Sequence, residues 1–159
     1  MILVMLGTQD NSFKRLLKEL DSLKEKNIIK EKVVVQAGHT KYKSNNLEIF
    51  DFIDKDTLEE YQSKADLIIT HGGVGSIISS LKRDKKVIAV PRLKEFNEHV
   101  NNHQLDIVES FSDKGYIIGI KDIKELEKAY KDIKNFKPKK YIPNNSKIIK
   151  IIEDYIDMC

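Results

Sequence analysis

Short unbroken apolar runs alternate along this chain with longer stretches in which apolar residues recur every three or four positions. The runs at 2–6, 32–36, 47–50, 67–70, 87–90 and 116–119 are rich in Val and Ile, which predicts strands buried on both faces. The stretches at 12–26, 57–64, 75–83, 98–111, 123–134 and 146–156 predict helices. In the first, Leu16, Leu20 and Leu23 form one stripe, and in the fifth Ile123, Leu126, Tyr130 and Ile133 do the same. Asn11 or Ser12 is placed to start the first helix, and Asp56 with Glu59 resembles a capping box. Strand–helix alternation of this kind predicts an α/β fold, a Rossmann-like parallel sheet with helices on both faces. The segment 135–145, NFKPKKYIPNN, is the one linker-like stretch. Beyond it, Ile148, Ile149, Ile151, Ile152, Tyr155 and Ile156 give the last helix an apolar surface wider than one stripe, able to pack on the sheet or dock on another protein.

Composition narrows the picture only at its edges. A chain of 159 residues fits one domain, 1–159, large enough to hold a core without disulfides or metals. The net charge of +3 is small and spread along the sequence, so nucleic acid is not indicated. The lone cysteine, Cys159, has no internal partner, and a reducing compartment is the expected setting. The opening MILVMLGTQD lacks a basic leader and stops at Gly7, so it reads as a buried strand rather than a signal sequence. No apolar run approaches the roughly 18 residues of a membrane span. A cytoplasmic chain is expected, with membrane contact coming only through a partner.

The candidate chemistry sits where strands empty into helices. After the fourth strand comes His71-Gly72-Gly73-Val74-Gly75-Ser76, more glycine than a plain turn needs. A strand that opens through glycines into a helix start aims backbone N–H groups at one point, the layout of a phosphate site. The spacing is neither the dinucleotide fingerprint nor a P-loop. Gly7-Thr8-Gln9, after the first strand, allows a second close approach or is a simple turn. Near the fifth strand lie Glu98, His99, Asn102, His103 and Gln104, whose amides and imidazoles both donate and accept and so suit sugar hydroxyls or a polar helix start. His99 and His103 have zinc-ligand spacing but no third ligand, and Asp54-Lys55-Asp56 is explained by capping, so no metal is expected.

MILVMLGTQDNSFKRLLKELD, VVVQAG, ADLIITHGGVGSI, VIAVPRLKEFNEHVNNHQ and KGYIIGIKDI together resemble a known family. It comprises the PssE/Alg13-like donor-binding subunits of split GT-B glycosyltransferases, which are similar to the C-terminal half of MurG. The resemblance implies one half of a GT-B fold that binds a UDP-sugar, needs no cofactor, and works with a membrane-anchored PssD/Alg14-like acceptor-binding subunit in capsule or exopolysaccharide synthesis. It implies that Gly72, Gly73, Val74, Gly75 and Ser76 hold the diphosphate, bordered by Gly7 and Thr8. By the same resemblance Phe52 and Ile53 meet uracil, while Asn102, His103 and Gln104 meet the sugar. Relatives often carry an acidic ribose-binding residue where this chain has Ser79, and many read Gly-Thr-His where it has Gln9. The catalytic base is expected on the partner, with His71 the local alternative. The terminal helix, 144–159, is expected to contact that partner. An enhancer subunit that only activates its partner, and an unrelated phosphate-binding domain, are the competing expectations.

Overall fold

The structure is a computed structural model that describes residues 1–142. The predicted helix at 146–156, with its expected partner contact, lies outside the described residues. Six parallel strands form one sheet: β1 (Ile2–Met5), β2 (Val33–Gln36), β3 (Glu48–Phe50), β4 (Leu67–His71), β5 (Val87–Val90) and β6 (Ile118–Gly119). Their order is β3-β2-β1-β4-β5-β6, so the winding reverses between β1 and β4. The helices are α1 (Lys14–Glu25), α2 (Lys55–Lys64), α3 (Val74–Lys82), α4 (His103–Asp113) and α5 (Leu126–Asp132).

Alternation along β1 shows why the sheet is covered twice. Ile2 and Val4 join a core with Leu16, Leu17, Leu20 and Leu23 of α1 and with Leu126, Ala129 and Tyr130 of α5. Leu3 and Met5 point the other way, into a core with Ile77 and Leu81 of α3 and Val108 and Phe111 of α4. The four α1 leucines are fully buried, each contributing about 1.5–3 kcal/mol relative to an exposed side chain.

The element boundaries depart from the sequence reading where a distant group intervenes. α1 begins at Lys14, not Ser12, and its N-cap is Phe13, whose N–H donates to Thr40 Oγ1 at 3.0 Å. α2 is capped by Asp54 accepting from the Thr57 N–H at 3.0 Å, so the expected box at Asp56 and Glu59 is replaced. The reciprocal capping box is instead Asp122 with Glu125, opening a short 3-10 turn ahead of α5. The largest correction is α4, which starts at His103 rather than Glu98. Residues 91–102 form a loop with a 3-10 turn at Lys94–Phe96 and a left-handed Asn97 (φ 57°). β6 is cut to two residues from the expected four.

Candidate functional site

The reversal between β1 and β4 opens a crevice at the carboxyl ends of the strands, the usual ligand site in sheets of this order. Two loops meet there across the ring of His71, the last residue of β4. Gly7 turns the β1 loop with φ +78°, and a Cβ on it would lie 2.5 Å from His71 Nε2. A Cβ on Gly73, the N-cap of α3, would collide with His71 Cε1. One on Gly75 would meet nothing within 4 Å. The first two glycines thus let the ring fit, whereas the third faces open space.

The start of α3 supplies donors. The N–H groups of Gly73, Val74, Gly75 and Ser76 precede the first intrahelical bond, which runs from the Ile77 N–H to the Gly73 carbonyl at 3.1 Å. No carboxylate occupies the first turn, so the positive end of the helix dipole is unopposed. Gly72 is removed from the expected diphosphate set, because its N–H donates to Gln104 Oε1 at 3.0 Å.

The same amide sets the tautomer of His71. Gln104 Oε1 also accepts from the Arg92 N–H at 3.0 Å. Two backbone donors fix this atom as the amide oxygen, leaving Nε2 as the end that donates to His71 Nδ1, 3.1 Å away. The His71 proton therefore resides on Nε2, which faces Ser76 Oγ at 3.4 Å. Burial, then the nearby Arg92 charge, lowers the His71 pKa to about 4, so the ring is neutral. His71 is consequently an N–H donor at neutral pH, which corrects its candidacy as a base. Gln104 is equally corrected as a sugar contact, since it is 5% exposed with both ends of its amide engaged.

Arg92, fully buried, ties the loops together and was missed from sequence. Its Nε and Nη2 donate to the Leu6 carbonyl at 3.2 and 2.6 Å. Its Nη1 donates to the carbonyls of Asn11 at 2.7 Å and Glu98 at 3.1 Å. The guanidinium also lies 5.0 Å from the Phe13 ring. Burial lowers its pKa to about 10, with Glu98 opposing the shift, so it stays charged. The Glu98 carboxylate is held by Arg15 at 2.9 and 3.0 Å and accepts from the Leu93 N–H at 3.1 Å. The available sequence signal was Arg92 at the mouth of a strand, with glutamates three and six residues on.

The remaining expected residues scatter around this centre. Thr8 is exposed beside Gly7. Phe52 is 56% exposed, its ring edge-on to His39 at 5.2 Å. The Ile53 N–H is taken by Gln36 Oε1 at 3.1 Å. Ser79 Oγ accepts from Gln62 Nε2 at 2.8 Å, tying α3 to α2. Asn102 Oδ1 accepts from the Lys94 N–H at 2.9 Å, and the His103 N–H donates to Asn101 Oδ1 at 3.0 Å. His99, whose pKa is lowered by burial and then by Arg92 and His103, has Nε2 3.4 Å from Gln9 Nε2. Among the described residues no group of three or more His, Cys, Asp and Glu could hold a metal ion, and no helix is long and apolar enough to cross a membrane.

Residues 1–157 match the glycosyltransferase family 28 C-terminal domain. The chain is 33% identical over 100 residues to the UDP-N-acetylglucosamine transferase subunit ALG13 of Candida albicans, covering 63% of this chain and 32% of that protein. It is 38% identical over 64 residues to the human protein of the same name, covering 40% of this chain and 5% of the relative. The chain thus spans at most about a third of the length of these two relatives. In fold it is similar to the NMR structure of ALG13, with a TM-score of 0.65 at 18% identity over 94% of this chain and 93% of that one. It is also similar to MurG of Acinetobacter baumannii, with a TM-score of 0.55 at 19% identity over 83% of this chain and 41% of that one.

Proposed function

This chain belongs to the glycosyltransferase family 28 C-terminal domain family, and we propose that it is the UDP-sugar-binding subunit of a two-component inverting glycosyltransferase. Its acceptor is a lipid-linked saccharide in capsule or exopolysaccharide synthesis, held by a membrane-anchored partner that also supplies the base. The observation that carries the reading is the start of α3. There the Gly73 to Ser76 N–H groups stand ahead of the first intrahelical bond, the Ser76 hydroxyl lies 3.4 Å from Nε2 of a neutral His71, and a Cβ on Gly75 would meet nothing within 4 Å. As the anomeric bond breaks, charge develops on the departing diphosphate, and donors already in place stabilise it without reorganising. Gly7 and Thr8 border the diphosphate. Phe52, with the backbone at Ile53, meets uracil, and His103 with Asn102 lies toward the sugar.

Calorimetric titration with UDP and UDP-sugars tests it: binding tighter than millimolar is expected, and weaker binding rejects it. Co-expression with the membrane partner should yield sugar transfer that Gly73→Asp abolishes. One observation favours a second reading, an enhancer subunit that activates its partner without needing the donor. Ser79, at the place of an acidic ribose contact, is bound to Gln62. A fully active complex carrying Gly73→Asp would select that reading.

A further inference from the structure

Gln104 is a buried amide in contact with the His71 ring. It joins three elements at once: the Gly72 N–H after β4, the Arg92 N–H after β5, and the imidazole of His71. It comes from the first turn of α4, so its position is set by the helix rather than by a mobile loop. Its oxygen is saturated by two backbone donors, and its nitrogen can only donate. His71 cannot turn to offer the other nitrogen, because the ring is flanked by the Gly7 and Gly73 backbones. We infer that Gln104 is a positioning residue: it locks His71 in the Nε2–H form, so that the ring presents a permanent, uncharged donor to the diphosphate. The inference rests on the donor-binding reading above and gives Gln104 a task different from touching the sugar.

The groups that face His71 are the Arg92 guanidinium, His99, the Ser76 hydroxyl and Gln104 itself, with Glu98 paired to Arg15 behind Arg92. In the wild type none of them removes the Nε2 proton, so this donor persists across the neutral range. Gln104→Glu keeps the shape but reverses the logic. One carboxylate oxygen still accepts from Gly72 and Arg92, while the other now accepts from His71 Nδ1. The neutral ring then carries its proton on Nδ1, and Nε2 donates only while the ring is cationic.

Long-range proton–nitrogen correlation spectra of the full chain read this directly, with His71→Asn used to assign the ring among the four histidines. The expected wild-type result is a protonated Nε2 and a bare Nδ1 at neutral pH; the opposite pattern overturns the inference. For Gln104→Glu, UDP-sugar affinity should lie within about twofold of wild type near pH 5.5 and fall at least about tenfold by pH 8.5, while wild type changes by less than about threefold. A purely structural amide would give a pH-independent loss, which overturns the inference. Should Gln104→Glu fail to fold, the wild-type ring pattern decides alone. A wild-type chain with the expected ring pattern that binds no UDP-sugar would support the lock on His71 and reject the donor reading.

Discussion

At Gly73 the missing side chain serves the protein before it serves any ligand. Gly73→Ala places a methyl against a ring that Gln104 and Gly7 prevent from retreating. We expect at least a tenfold loss of UDP affinity, read by calorimetry, together with about 1–3 kcal/mol of lost stability in chemical denaturation. His71 itself makes stability pH-dependent. Its folded pKa, about 4, lies below the ordinary 6.5, so the unfolded chain binds the extra proton. Its contribution is therefore complete above about pH 6.5 and is lost as pH falls toward 4, by at most about 3 kcal/mol. Urea denaturation of wild type and His71→Gln across that window should show the slope in the first and a shallower one in the second. Arg92→Met leaves the carbonyls of Leu6, Asn11 and Glu98 without their shared donor in the interior. A loss of about 3 kcal/mol or more is expected, visible as a lowered Tm.

Elements were legible wherever a residue's neighbours in sequence are also its neighbours in space. The strands were found because β1, β2, β4 and β5 are buried along their whole length and carry polar residues only at their carboxyl ends, at Gln36, Thr70 and His71. Helix starts were misplaced where the deciding atom is remote: Thr40 caps α1 from another loop, and Arg15 draws Glu98 out of what reads as a helix. The same holds for the site. The glycine loop could be read directly, but the occupation of Gly72 and Gln104 by one another depends on a pairing 32 residues apart in sequence. A further case is the loop after β2, pinned to α1 by one carboxylate. Asp21 accepts from Tyr42 Oη at 2.8 Å, Ser44 Oγ at 2.7 Å and Asn46 Nδ2 at 2.7 Å. Burial and then Asp21 push the Tyr42 phenol up to about 12. Burial and then Glu31, which accepts from its Oη at 2.6 Å, push Tyr130 equally to about 12, so ultraviolet difference titration of Asp21→Asn should show one fewer late-ionising tyrosine than wild type.

Across the whole molecule, the described residues hold a six-stranded sheet and every group placed around the crevice. The chain is tied down to its last described turn, with the Lys139 N–H donating to the Gly115 carbonyl at 2.9 Å and Tyr141 edge-on to Tyr116 at 5.7 Å. A chain ending at Ile142 should therefore keep its UDP-sugar affinity while losing association with the membrane partner. Equal loss of both would make the terminal residues part of the core.

The placement of β1 between β2 and β4 has a consequence for how the chain is made. One flank of β1 can pair as soon as β2 leaves the ribosome, but the other waits for Leu67, the register partner of Ile2. Through that interval a nascent apolar strand has an open hydrogen-bonding edge, the kind of surface that chaperones cover and that otherwise seeds aggregation.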